Sequence, residues 1–168
     1  EMRFTLLLPD IGELAEDAER AGAAVCLTPW PSSLLALGER SGGPSWASLA
    51  KAVPAVRRVA RVVREGVAAV AADVLVTNGI KPHVVGTVAS YGRPELPLAW
   101  YLPESTEGRR LSRRLLSVAA RRCDAAIAIS KYVAGDAGHY LPGGVPVDVA
   151  YNIVDVAFPP RDPGGDEW

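Results

Sequence analysis

Short apolar runs alternate with stretches of helical periodicity along this chain. Arg3–Leu8 (RFTLLL) reads as a strand closed by Pro9, and Ala24–Thr28 (AVCLT) as a second, ended by Pro29 and Pro31. Four more strand-like runs follow: Asp73–Thr77 (DVLVT), Leu98–Leu102 (LAWYL), Ala125–Ile129 (AAIAI) and Val145–Tyr151 (VPVDVAY). Between them lie helical segments. Ile11–Ala21 carries its acids on one side and stops at Gly22, a residue that tolerates positive φ. Ser45 is placed to cap a helix whose apolar stripe runs Trp46, Leu49, Ala50, Val53, Val56, Ala60, Val63. Pro54 should kink or split that helix, because proline lacks the N–H the preceding turn needs. Lys81–Tyr91, Arg109–Cys123 and Lys131–Tyr140 complete the helices, and Leu34–Pro44, with Gly38, Gly42 and Gly43, reads as loop. Strands that are apolar throughout and separated by helices imply a parallel sheet covered on both faces. The expectation is one open, doubly wound, Rossmann-like α/β domain of about six strands over residues 1–157, with 158–168 (FPPRDPGGDEW) as a tail or interdomain linker.

Composition narrows the picture. A chain of 168 residues, 49% hydrophobic, fits a single domain and argues against a disordered chain. With 18 basic and 19 acidic residues, binding to nucleic acid through overall basicity is excluded. No apolar run is long enough to span a bilayer, and no secretory signal pattern opens the chain. The two cysteines, Cys26 and Cys123, stand far apart in apolar patterns; they read as small core hydrophobes, without a disulfide framework or zinc spacing. A cytoplasmic protein with no metal site is the expectation.

In open parallel sheets, ligands bind beyond the carboxyl ends of the strands, so the residues after each apolar run hold the candidate chemistry. After the third strand stands Thr77-Asn78-Gly79-Ile80-Lys81-Pro82-His83. Asn78 and Gly79 suit a tight strand-to-helix turn, the free N–H groups of the helix start favour an anionic or hydroxyl-rich ligand, and Lys81 and His83 add a cation and a titratable ring. Turn chemistry with a surface lysine explains the same residues. After the fourth strand, Glu104 could accept hydroxyls or act as a base, while Ser105 or Thr106 could cap the next helix. Ser130 follows the fifth strand as an N-cap, Asn152 follows the sixth, and His139 reads as a helix-end residue. No P-loop, dinucleotide-binding glycine motif, nucleophile elbow or metal cluster occurs. The segment from Gly108 to Asp124 carries Arg109, Arg110, Arg113, Arg114, Arg121 and Arg122 without a compensating acid, over a stripe of Leu111, Leu115, Val118 and Ala119. Either the arginines form a solvated face, or they meet anionic lipid head groups, with Arg109, Arg110, Arg113 and Arg114 as the contacts.

Taken together, DVLVTNGIKPHVVGTVA, PLAWYLPE, the arginine helix, RRCDAAIAISKYVAGD and VDVAYNIVDVAF resemble the second half of the N-terminal domain of GT-B glycosyltransferases of the large family 4 (group 1) type. LLLPDIGELAEDAERAGAAVCLTPW resembles that domain's second strand, helix and third strand. Relatives open with a further strand and a glycine-rich loop ahead of this point, and the C-terminal, nucleotide-sugar-binding domain has no counterpart here. The resemblance implies the acceptor-binding half of an enzyme that moves a sugar from a UDP-, GDP- or ADP-sugar to a sugar or lipid-linked acceptor, without a cofactor held by this half. Asn78, Gly79, Lys81, His83 and Ser130 then become acceptor-side residues. Tyr101 and Glu104, standing where many relatives carry a histidine and an aspartate, become the catalytic candidates. Asn152 falls where the chain crosses toward the donor-binding domain. The half alone should be inactive, with the missing domain as its partner and the inner face of a membrane as a peripheral site. Two rivals remain at this level: a non-catalytic acceptor- or membrane-binding subunit that recruits a separate donor-binding chain, and an unrelated doubly wound ligand-binding domain. Apolar surface left open by missing elements would favour self-association.

Overall fold

The computed structural model describes residues 2–37 and 45–152, with the main chain alone at Trp46. Its elements run β1 (Thr5–Leu8), α1 (Glu13–Arg20), β2 (Ala24–Leu27), α2 (Ser32–Leu35), α3 (Trp46–Ala69), β3 (Leu75–Asn78), α4 (Ile80–Ser90), β4 (Leu98–Leu102), α5 (Arg110–Ala119), β5 (Ala125–Ala128), α6 (Lys131–Ala137) and β6 (Val147–Val149). Every expected strand forms, and β4 has the expected bounds. All pairings are parallel, so the fold is the expected Rossmann-like α/β arrangement. The strands do not form one ladder, however. β1 pairs with β2, and β3, β4, β5 and β6 pair in that order as a separate sheet.

The steps β3 to β4 to β5 to β6 all run in one direction. Right-handed crossovers therefore put α4, α5 and α6 on the same face. On that face the core gathers around Trp100, Leu98 and Leu102 from β4, Ala126 and Ala128 from β5, and Val85, Ala89 and Leu116 from the helices. Gly86 is what lets α4 lie so close to β3: a Cβ there would sit 2.4 Å from the Thr77 methyl carbon. The opposite face of β3 is more open, with Val74 47% and Val76 53% exposed.

Several local expectations change. Ser45 does cap α3, accepting from the Ser48 N–H at 3.1 Å while its own N–H donates to Ser48 Oγ at 2.9 Å. Pro54 neither splits nor ends that helix. It lies on the exposed side, and Ala50, whose carbonyl loses its helical partner, is exposed too, so water can take that bond. The buried stripe of α3 is Ala52, Val59, Ala60, Val63 and Val67, turned away from Ala50 and Val53, which are exposed. In α5 the buried residues are Ser112, Leu116 and Ala119, and Val118 is 60% exposed. Within the stretch read as loop, Leu34 and Leu35 belong to the short helix α2, while 38–44 lie outside the described residues, as do 153–168 with the expected linker. Cys123 is a core residue, its thiol pushed up to about 11 by burial. Cys26, expected in the core, is instead exposed on β2, in the separate two-stranded sheet.

Candidate functional site

A cleft of about 2760 Å³ runs along β1 and β3, from Met2 and Asp73 at their amino ends to the carboxyl ends of the strands, where Thr28 and Trp30 beyond β2, Leu35 of α2, Asn78 and Lys81 beyond β3, and Glu104 and Arg109 beyond β4 are among its walls. Gly79 makes the turn from β3 into α4 at φ +91°, a conformation that β-carbon-bearing residues rarely adopt. That turn carries the backbone straight from Asn78 to the first turn of α4 and aims Lys81 across the cleft. The Lys81 ammonium donates to the Leu35 carbonyl, tying the segment after β2 to the segment after β3, so both sheets present their carboxyl ends to the same side. An ammonium has three donors, and this bond uses one. Across the cleft, Glu104 pairs with Arg109 at 2.9 Å, both about half exposed. Asn78, Lys81, Glu104 and Arg109 are thus gathered from separate loops onto one surface. Their mixture of amide, cation and carboxylate can bind a polar ligand through several directional hydrogen bonds.

The other sequence candidates lie elsewhere. His83 does not reach the cleft. Its ring is 2% exposed, stacks on Trp100 with centroids 4.4 Å apart, and shares a 2.7 Å hydrogen bond between Nδ1 and the Thr77 hydroxyl. Burial depresses its pKa to about 3, so the ring is neutral. Ser130 caps α6, accepting from the Val133 N–H at 3.2 Å. Tyr101 turns its hydroxyl to Asn152, donating to Oδ1 at 2.6 Å, which joins the end of β4 to the segment after β6. His139 lies just past α6.

The arginine helix is less uniform than its sequence. Arg109 is matched by Glu104, and Arg113 by Asp136 at 2.5 Å, acids supplied from outside the helix. Among the described residues Arg110 and Arg114 make no ion pair. They flank a shallow groove of about 680 Å³ with Leu111, Ser117 and His139. Arg122 is a structural clasp, donating to the carbonyls of Arg93, Pro94 and Leu96.

Sequence reasoning missed the group that holds the loop bearing Glu104. Asp136 of α6 is 8% exposed and accepts from the Thr106 N–H at 2.6 Å and the Thr106 hydroxyl at 2.8 Å, besides Arg113. The one available signal was an acid in the apolar stretch YVAGDAG, where an unpaired carboxylate would be costly.

Among the described residues, no group of three or more His, Cys, Asp or Glu is placed to hold a metal ion, and no helix is long and apolar enough to cross a membrane. No protein-family profile matches the chain, and no curated protein matches it. Among solved structures, the crystal structure of Anabaena Alr3699/HepE in complex with UDP and glucose is similar, with a TM-score of 0.59 and 21% identity. The match covers 90% of this chain and 37% of that one, so the chain spans little more than a third of its structural neighbour. At that identity the likeness is one of fold, and it runs through nearly the whole of this parallel α/β domain.

Proposed function

We propose that this chain is the acceptor-binding half of a glycosyltransferase. It would hold a sugar or lipid-linked acceptor in the cleft while a second, nucleotide-binding half supplies a UDP-, GDP- or ADP-sugar. The observation that carries this reading is the convergence of Asn78, Lys81, Glu104 and Arg109 on one wide cleft at the carboxyl ends of a parallel sheet, where such folds bind ligands. Two independent lines support it: the ordered motifs that resemble GT-B glycosyltransferases of family 4, and the fold shared with a protein whose crystal structure holds UDP and glucose. In this reading Asn78 and Lys81 bind acceptor hydroxyls or an acceptor phosphate. Glu104 accepts a proton or a hydroxyl hydrogen bond, with Arg109 holding its carboxylate in place. Gly79 allows the turn. Ser130 supports the rim as a helix cap, and Tyr101 with Asn152 fixes the strand end where the chain leaves toward the donor side. His83 acts from the core by holding the β3–α4 turn.

The test is Lys81→Ala in the protein joined to its nucleotide-binding half. Losing one charge-assisted hydrogen bond is worth about 1.5–3 kcal/mol, so kcat/KM for the acceptor should fall about ten- to more than a hundredfold, while donor hydrolysis and the melting temperature stay nearly constant. Equal losses in both reactions, or unchanged kinetics, would remove Lys81 from the acceptor site.

A second, compatible reading concerns the membrane. Arg110 and Arg114 are exposed and unpaired among the described residues, and Val118 stands exposed one turn further on. Each cation near an anionic surface adds about 1 kcal/mol, so this edge supports weak, salt-sensitive attachment. Arg110→Gln with Arg114→Gln should release the chain from phosphatidylserine vesicles at low salt without lowering its melting temperature. Arg109→Gln with Arg113→Gln should instead cost stability, because those two are matched by acids. Wild-type protein that ignores such vesicles at low salt would end this reading.

A further inference from the structure

Two arginines of α5 stand on one groove without a counter-charge. Arg110 and Arg114 are one helical turn apart, both are exposed, and neither makes an ion pair among the described residues. They line the groove with Leu111, Arg113, Ser117 and His139, and no acidic side chain is among its walls. Without an anion this arrangement is unfavourable. Like charges four residues apart on a helix repel each other. Arg110 also opens α5, the end at which the helix dipole disfavours a cation, and the first turn holds no acid to offset it. Arg113 differs from both, because Asp136 meets its guanidinium from the α6 side.

The opposite wall is held in place. His139 follows α6, and its Nδ1 lies 3.1 Å from the Asp136 carbonyl oxygen. A carbonyl oxygen only accepts, so Nδ1 carries the hydrogen and Nε2 is the ring nitrogen left for a ligand. Asp136 thus fixes both walls at once, Arg113 through its carboxylate and His139 through its main chain. Ser117 gives its hydroxyl hydrogen to the Arg114 carbonyl at 2.8 Å, which leaves the two guanidinium forks and the ring as the groove's free polar groups. Two forks on one wall and a ring nitrogen on the other call for an anion whose oxygens point in at least three directions. A terminal phosphate has three such oxygens in a tetrahedral array, and guanidinium forks match them. A carboxylate offers two oxygens in one plane, and a phosphodiester keeps only two free. A monoester also suits Nε2: whether the proton starts on the ring or on the phosphate, one proton lies between that nitrogen and a phosphate oxygen.

We propose that the groove between α5 and the residue after α6 binds a phosphate monoester group, with Arg110 and Arg114 on two of its oxygens and His139 Nε2 on the third. The groove is shallow, so it takes the phosphate and leaves the rest of the molecule outside. A free phosphate monoester and a lipid head group of the phosphatidic acid type present that same chemistry. The site lies apart from Asn78 and Lys81 and does not rest on the acceptor reading. It shares Arg110 and Arg114 with the membrane reading but requires a saturable pocket instead of a charged surface, so the two can fail separately.

The experiment titrates the isotope-labelled 168-residue chain with inorganic phosphate at constant ionic strength and reads the arginine Nε–H and His139 ring signals by NMR, with acetate and dimethyl phosphate as comparison anions. Phosphate should move the signals of Arg110, Arg114 and His139 saturably and bind more tightly than either comparison anion. Arg114→Gln should weaken binding about tenfold or more, the worth of one charge-assisted hydrogen bond, and His139→Gln about fivefold, with the remaining amide signals unchanged. Two further arms separate the sources, and either result supports the site. Glycerol 3-phosphate that binds as tightly as inorganic phosphate, with no preference between phosphatidic acid and phosphatidylserine vesicles of equal surface charge, makes the ligand a free monoester. A preference for phosphatidic acid vesicles that Arg114→Gln removes makes it a lipid head group. Shifts that acetate reproduces, shifts centred on Asn78 and Lys81, or affinity unchanged in Arg110→Gln with Arg114→Gln would overturn the proposal. Attachment to both kinds of vesicle alike, without saturable phosphate binding, would overturn it too and leave the membrane reading standing.

Discussion

Asp136→Ala should cost this fold about 2–4 kcal/mol, the penalty for leaving two buried Thr106 donors without an acceptor. The carboxylate lies under the loop between β4 and α5 and takes three hydrogen bonds there, two from Thr106 and one from Arg113. Burial by itself would raise its pKa, but the Thr106 N–H and hydroxyl together with the Arg113 guanidinium outweigh that and hold it below the ordinary carboxylate range. Deleting it strands the Thr106 donors, fully buried, beside a guanidinium that is 31% exposed. A domain of this size has about 5–15 kcal/mol of stability in all, so the variant should melt on the order of 10 °C lower and unfold at much lower urea. Asp136→Asn keeps one acceptor oxygen without the charge and should fall between the two. Because the same loop carries Glu104 and Arg109, the loss should also loosen one wall of the cleft. An Asp136→Ala protein that melts like wild type would mean that the network adds little to the native state.

The strands were legible because each is a short, continuous apolar run ended by proline, glycine or a polar turn, and β4 (LAWYL) was the clearest of them. The split into two sheets was not legible. Period and composition say that a segment is a buried strand, but strand neighbours are chosen over long sequence separations, and β2 and β3 are joined through α2 and α3 without pairing. Pro54 was misread for a related reason. Its cost depends on whether the orphaned carbonyl faces water, which the linear sequence does not reveal.

At the cleft, Asn78, Gly79 and Lys81 were found because one rule located them: chemistry follows the carboxyl ends of parallel strands. The same rule swept in His83, two residues too far along α4. The correcting signal was present, since IKPHVVGTVAS is apolar around its whole circumference and a helix of that kind is buried. The pairing of arginines 109 and 113 with acids of other elements had no sequence signal, because Glu104 and Asp136 reach them only through the fold.

Acid should destabilise this protein well before its carboxylates titrate, and His83 should be the cause. Its pKa is near 3 in the fold, lowered by burial against Trp100, and about 6.5 in an unfolded chain. Between those values the unfolded state binds a proton that the native state refuses, so stability rises with pH. The contribution is fully present above pH 6.5 and is lost progressively as pH falls toward 3. The slope is about 1.4 kcal/mol per pH unit once the unfolded histidine is fully protonated, or roughly 2 kcal/mol between pH 6.5 and 4.5. Asp136 works in the same direction, but its share is lost only at lower pH, as its carboxylate protonates below the ordinary carboxylate range. The interval from pH 6.5 to 4.5 therefore isolates the histidine. Urea unfolding across it should show the slope in the wild type and a much flatter line in His83→Gln, whatever that variant's stability at neutral pH. Because the His83 ring holds Thr77 at the end of β3, an opening of that turn that exposes the ring becomes easier as pH falls, so amide protection factors at Gly79–Lys81, with the intrinsic pH dependence of exchange divided out, should drop over the same pH interval. A wild-type slope that survives in His83→Gln would assign the acid sensitivity to another group and leave the ring a packing residue only.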